Sequence, residues 1–152
     1  MKRILLLLAF LLCNELSVYA QKQSIRTDNA PQPVGPYSQG VVAQGLVFVA
    51  GQVGLDPTTS KLVEGGLEKE VPQIMKNIQA ILAAHGLNLT HVVNTTIFIK
   101  DLAQFGKVNN LYASYFTSDF PARTTVGVSA IPAGGAIEIA VIAAVPRHRR
   151  KK

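Results

Sequence analysis

From Ile137 to Val145 the chain is apolar at nearly every position, and Glu138 is the single charge inside the run. A run this short, with Ile and Val prominent, reads as a strand rather than a helix. Side chains alternate across a strand, so apolar residues at successive positions call for cover on both faces. One cover can come from the chain's own helices. The other has to come from a second layer or from a neighbouring subunit.

Two segments have the spacing to supply helices. Leu67 to His85 places Leu67, Val71, Ile74, Met75, Ile78, Ile81 and Leu82 on one side, and Gly86 stands where a C-terminal cap belongs. The stripe, Met75 included, reads as core packing. Asp101 can cap a second helix from Leu102 to about Phe116, with Leu102, Phe105, Val108, Leu111, Tyr112 and Tyr115 inward. Between them, Val92 to Ile99 is rich in β-branched residues and predicts a strand. Earlier, Val41-Val42-Ala43 and Leu46 to Ala50 flank Gln44-Gly45 as a hairpin. Gln21 to Pro36 reads as a polar extended arm, and Gly51 to Gly66 as a loop. Thr124 to Val128 and Ala136 to Val145 complete the pattern, separated by Pro132 and Gly134-Gly135. The order is ββαβαββ in a single α+β domain, with both helices on one face of the sheet. That domain spans 21–146.

The two ends read differently from the body. Lys2 and Arg3 precede an apolar run from Ile4 to Leu12, and Val18-Tyr19-Ala20 suits a signal peptidase. Residues 1–20 therefore predict an export signal, too short for a stable membrane anchor, and a periplasmic or secreted protein. A lipoprotein at Cys13 fits less well, because Leu12 stands where a small residue is usual. Cleavage leaves about 132 residues, enough for one core. It also removes Cys13, the only cysteine, so the mature chain has no disulfide, thiol nucleophile or sulfur metal site. The net charge of +6 is local: Arg147, Arg149, Arg150, Lys151 and Lys152 crowd into a tail at 147–152. From Gln21 to Pro146, eight basic residues balance eight acidic ones. That neutrality, with no aromatic residues interleaved among basic ones, argues against a nucleic-acid partner.

Few polar groups carry chemistry. His85 and His91 have no acidic or thiol partner at ligand spacing, and His148 lies in the tail, so no metal site is expected. The serines lack a nucleophile elbow and a plausible His partner. Gly51-Gln52-Val53-Gly54 has no Lys-Ser/Thr after it and is no phosphate loop. Asn88-Leu89-Thr90 and Asn94-Thr95-Thr96 fit the glycosylation pattern, which matters only in a eukaryotic secretory cell. Two charges remain, Arg123 at the entrance to a strand and Glu138 inside the apolar run. They form either a structural pair or edge positions facing water, or else an anion site with a carboxylate beside it. In the second case Arg123 offers a planar fork to a substrate carboxylate, and Glu138 can orient or deprotonate a water.

Several blocks occur together in order: Asn29-Ala30-Pro31, Val34-Gly35-Pro36-Tyr37-Ser38-Gln39, Val49-Ala50-Gly51-Gln52-Val53-Gly54, Val108-Asn109-Asn110-Leu111-Tyr112, Phe120-Pro121-Ala122-Arg123-Thr124-Thr125 and Ile137-Glu138-Ile139. This series, running from about Thr27 to Val145, resembles the signature of the Rid (YjgF) family. The resemblance implies a chorismate-mutase-like α+β fold assembled as a homotrimer, with clefts at the subunit interfaces. It implies hydrolysis of reactive enamines and imines, 2-aminoacrylate and 2-iminopropanoate, to the 2-keto acid and ammonia, without metal or organic cofactor. Carried over by motif, Arg123 holds the substrate carboxylate and Glu138 positions the attacking water. Tyr37 closes the pocket, Asn109 shapes it, and Gly51 and the backbone of Thr125 line it.

The sequence also departs from that pattern. Ala50 stands where deaminating members commonly have Ser, Thr125 where some have Cys, and Ala140 where a second Glu is frequent. Two other readings stay open: a non-catalytic binder of small carboxylates on the same trimer, and an RNA-binding protein or ribonuclease.

Overall fold

The computed structural model describes residues 22–146; the expected leader at 1–20 and basic tail at 147–152 lie outside them. The elements are β1 (Gln23–Ile25), β2 (Gly40–Ala43), β3 (Leu46–Gln52), α1 (Leu67–Ala83), β4 (Val92–Ile99), α2 (Phe105–Ala113), β5 (Ala122–Gly127) and β6 (Ile137–Ala144). The expected ββαβαββ order is present, with one short strand added in front. That strand falls inside the segment read as an arm. It pairs with β2 through Gln23, Ser24 and Ile25.

All six strands form one sheet in the order β1-β2-β3-β6-β4-β5. The pairs are antiparallel except β4 with β5, so the sheet is mixed. A parallel pair needs a crossover, and α2 lies in the connection that provides it. The expected stripe of α1 is buried throughout and packs on Val47, Val49, Ile97, Ile99, Ile137, Ile139, Val141 and Ala143. Glu68 and Glu70 occupy the first turn of α1, where the helix dipole favours acids. The helix ends at Ala83, slightly early. Its last turn is closed by Gly86 N–H donating to Ala83 O and Leu87 N–H to Leu82 O.

Two expectations need correction. Asp101 does cap, accepting from Ala103 N–H at 3.0 Å, but it caps a 3₁₀ turn at Leu102–Gln104 that precedes α2. Val108 and Tyr112 are buried as expected, whereas Leu102 is 55% and Phe105 41% exposed. These two side chains lie over the edge strand β5 rather than over the sheet centre: a Cβ on Gly127 would meet Leu102 at 2.8 Å, and the Phe105 ring faces Arg123. In β6 the two faces differ, as the need for outside cover predicts. Ile137, Ile139, Val141 and Ala143 are buried, while Glu138, Ala140, Ile142 and Ala144 are only half-buried. The helices cover one face of β6, and the chain itself brings no full cover to the other. Phe48, paired with Ile142, and Val126, in register with Phe98 and Glu138, are exposed on that open face. No helix among the described residues is long and apolar enough to cross a membrane.

Candidate functional site

The register of β4 decides where the two charges go. Arg123 pairs with Thr95, and Thr95 with Val141, so Arg123 lies on the helix-covered face. Glu138 pairs with Phe98, an odd number of residues along, so it lies on the open face. Within one chain the sheet separates them. The only salt bridge among the described residues joins Lys107 to Glu68. The structural Arg–Glu pair is therefore not formed.

Arg123 is immobilised by α2. Its Nη2 donates to Asn109 Oδ1 at 2.6 Å. Its guanidinium carbon stands 5.1 Å from the Tyr112 ring centre and 5.7 Å from that of Phe105. Cation–π contacts of this kind contribute about 0.5–2 kcal/mol each. Tyr112 is itself fixed by a buried hydrogen bond of 2.9 Å with Thr95 Oγ1. Burial pushes the Tyr112 hydroxyl upward, against the opposing pull of the Thr95 bond and the Arg123 charge. The result is a neutral, oriented ring beneath a cation that keeps free donors. These donors face a cleft of about 390 Å³ lined by Asn109, Tyr112, Ala113, Phe120, Pro121 and Arg123.

The backbone adds donors at the same place. β5 is an edge strand. Val128 N–H donates to Ile99 O at 2.9 Å, just beyond the Ile99–Gly127 pair. In a parallel ladder the bonded residues alternate, so Val126 and Thr124 also bond inward to β4. The amides of Arg123 and Thr125 then point out from the free edge. The Thr125 side chain is different: its Oγ1 is buried and, among the described residues, has no hydrogen-bond partner.

Glu138 occupies a second locality. Between Val49 and Gln52 the β3–β6 register shifts, so Ala50 and Gly51 together oppose Ala140. The Glu138 carboxylate lies over this bulge, and a Cβ on Gly51 would stand 1.8 Å from Oε1. With the carboxylate in this position, a side chain on residue 51 would displace it. Burial pushes the Glu138 carboxyl above the ordinary range. Tyr37, 51% exposed, shares a small cavity with Gly51, Pro31, Val34 and Gln52. It also borders a larger cleft of about 600 Å³ with Lys22, Ser38, Phe48 and Ala50. Gln39 anchors the Tyr37 loop: it is 2% exposed, accepts from Thr27 N–H at 2.8 Å, and donates to Thr27 O, Ala30 O and Pro31 O.

The expected site residues thus fall into two groups. Arg123, Asn109 and the Thr125 amide form one; Tyr37, Gly51 and Glu138 form the other. Sequence spacing assigned Phe105 and Tyr112 to plain core and passed over Thr95 and Gln39. A signal for the first two was present, since an aromatic face is one of the partners that holds a partly buried arginine. Among the described residues no group of three or more His, Cys, Asp or Glu could hold a metal ion.

Comparison with known proteins identifies the family of the chain. Residues 27–145 match the family described as Endoribonuclease L-PSP. Protein DfrA of Myxococcus xanthus is 45% identical over 124 residues, covering 80% of this chain and 95% of that protein. The human 2-iminobutanoate/2-iminopropanoate deaminase is 43% identical over 122 residues, covering 80% of this chain and 89% of the enzyme. The crystal structure of YyfA, a Rid-family protein of Yersinia pestis, superposes with a TM-score of 0.80 at 45% identity, covering 82% of this chain and all of that one. The chain belongs to the Rid (YjgF) family, the L-PSP family of that match.

Proposed function

We propose that this protein hydrolyses reactive 2-imino acids and their enamine tautomers, of the 2-aminoacrylate and 2-iminopropanoate class, to the 2-keto acid and ammonia, at sites formed between the subunits of a homotrimer. The observation that carries this reading is the preset Arg123 guanidinium, fixed by Asn109, Phe105 and Tyr112 with donors left free beside an outward amide edge. A planar carboxylate fits that fork, and the Thr125 amide offers it a further donor. The imine carbon is then held next to the Glu138 locality of a neighbouring chain.

Water oxygen adds to C2 of the imine as Glu138 takes a proton from it. That proton passes to nitrogen to give a carbinolamine; Glu138 then moves the hydroxyl proton to nitrogen as the C–N bond breaks and the C2=O bond forms, so that ammonia leaves the 2-keto acid behind. Burial raises the Glu138 carboxyl from its ordinary value, which favours its holding the proton between the two transfers. Because Arg123 and Glu138 face opposite sides of one sheet, a substrate that touches both has to lie between two chains. The half-open face of β6 is the surface a neighbour would cover. The activity named for the human relative supports the same reaction.

Ala50 beside Gly51 offers no hydroxyl, and this favours a second reading, a non-catalytic carboxylate binder that keeps Arg123. Glu138 seated over Gly51 favours the enzyme. The family description names an endoribonuclease, but the described residues balance their charges and so carry no net positive charge toward RNA. In the same proposal the protein works in the periplasm or outside the cell, supported by the export-like order of residues 1–20.

The test uses protein lacking residues 1–20 and iminopropanoate freshly made from alanine by an amino-acid oxidase. Imine loss faster than in the protein-free control is expected. Pyruvate binding through Arg123 with no acceleration at any protein concentration would establish the binder instead.

A further inference from the structure

The Gly51-Gln52-Val53-Gly54 segment has a use other than phosphate binding, because each of its glycines makes room for a different glutamate. Gly51 lies under the carboxylate of Glu138. Gly54 lies against Glu70 of α1, where a Cβ would come within 2.9 Å of both Cα and Cγ. Glu70 is a charged residue only 3% exposed, and its Oε2 accepts from Ala136 N–H at 2.8 Å, across 66 residues of sequence. Ala136 directly precedes β6, and Glu138 is the second residue of that strand. The contacts close a circuit running from Glu138 to Gly51, Gly54, Glu70, Ala136 and back to Glu138.

We propose that Glu70 is a positioning residue for Glu138, holding the start of β6 through Ala136 while bracing the bulge that carries Gly51. The proposal rests on the deaminase reading, which gives Glu138 its role. The turn before β6 needs such a hold. Ala133 and Gly134 both take left-handed backbone, with φ of 56° and 77°, an arrangement an alanine adopts at a cost. On the far side of the peptide chain, Lys100 N–H donates to Ala136 O at 3.1 Å. With the Glu70 bond on one side and the Lys100 bond on the other, the orientation of Ala136 is set. Ile137 then points into the core and Glu138 onto the open face. Asn77 ties the same loop to α1, its Nδ2 donating to Leu55 O at 2.9 Å. Without Glu70 the start of β6 loses its hydrogen bond to α1, whereas the loop side keeps its own through Asn77. The carboxylate and Gly51 then move relative to one another.

Glu70→Ala and Glu70→Gln in the assembled protein test this. The alanine variant is expected to lower kcat for iminopropanoate by about tenfold to a hundredfold, the range that small misplacements produce. Pyruvate affinity, which reports the Arg123 side, should stay unchanged. The glutamine variant should recover most of the rate, since its amide oxygen accepts the same N–H. A merely structural role would reduce the number of pyruvate sites along with the rate. An alanine variant with parental kcat, or a glutamine variant as slow as alanine, overturns the proposal. If the parent shows no turnover, the deaminase reading fails, and amide exchange decides the positional claim. Exchange at Ala136 to Glu138 should accelerate in Glu70→Ala and not in Glu70→Gln; equal exchange in all three refutes it.

Discussion

Replacing Arg123 by alanine removes the group that the structure has taken most care to fix. A guanidinium held by Asn109 and two rings loses little entropy on binding, so its hydrogen bonds to a carboxylate are used nearly in full. Charge-assisted bonds contribute about 1.5–3 kcal/mol each, and losing a pair costs roughly 3–6 kcal/mol. At 1.36 kcal/mol per tenfold, kcat/KM should fall by at least about a hundredfold. Arg123→Lys should recover little, because an ammonium offers neither the paired geometry nor the flat face that lies on Tyr112. The assay follows disappearance of freshly generated iminopropanoate, with sedimentation to verify that each variant assembles as its parent does. An assembled Arg123→Ala variant with the parental rate would refute the placement of the site.

Thr95→Val leaves the buried Tyr112 hydroxyl without its partner and should cost about 1–3 kcal/mol in thermal or denaturant unfolding. It should also raise KM more than it lowers kcat, because the ring under Arg123 loosens; an unchanged Tm would mean the bond contributes nothing. The Asp56 carboxylate accepts from Thr59 and Thr58 N–H groups, which hold its pKa down. Its contribution is therefore present above the ordinary value of 3.8 and lost as pH falls through the lower folded value. Asp56→Ala should thus be less stable than the parent at neutral pH and equal to it in strong acid, and a gap in Tm that persists in acid would contradict this. Expressed in a bacterium with a periplasm, the full chain should yield a mature protein beginning at Gln21, read by intact mass; a cytoplasmic product retaining residues 1–20 would remove the export reading.

Much of the fold could be read from local pattern. The β-branched run Val92–Ile99 is bounded by His91 and Lys100, and β4 occupies those residues. The stripe of α1 is long enough for its period to be unmistakable. Gln23–Ile25 is too short to show alternation, and only pairing with β2 makes it a strand. Phe105 and Leu102 kept the helical spacing of core residues, but spacing does not reveal that the opposing strand is an edge bearing Arg123 and Gly127. The motif blocks named the site residues, whereas their division depends on register. A shift of one residue in β4–β6 pairing would have put Glu138 on the face of Arg123.

That division is tested most directly by mixing two inactive variants. Arg123→Ala and Glu138→Gln, each unable to turn over alone, are unfolded together in equal amounts and reassembled. If every site takes Arg123 from one chain and Glu138 from its neighbour, random trimers regain about a quarter of the parental activity per site. If Arg123 and Glu138 of the same chain serve one site, the mixture stays as inactive as its components, and the shared-site account is wrong.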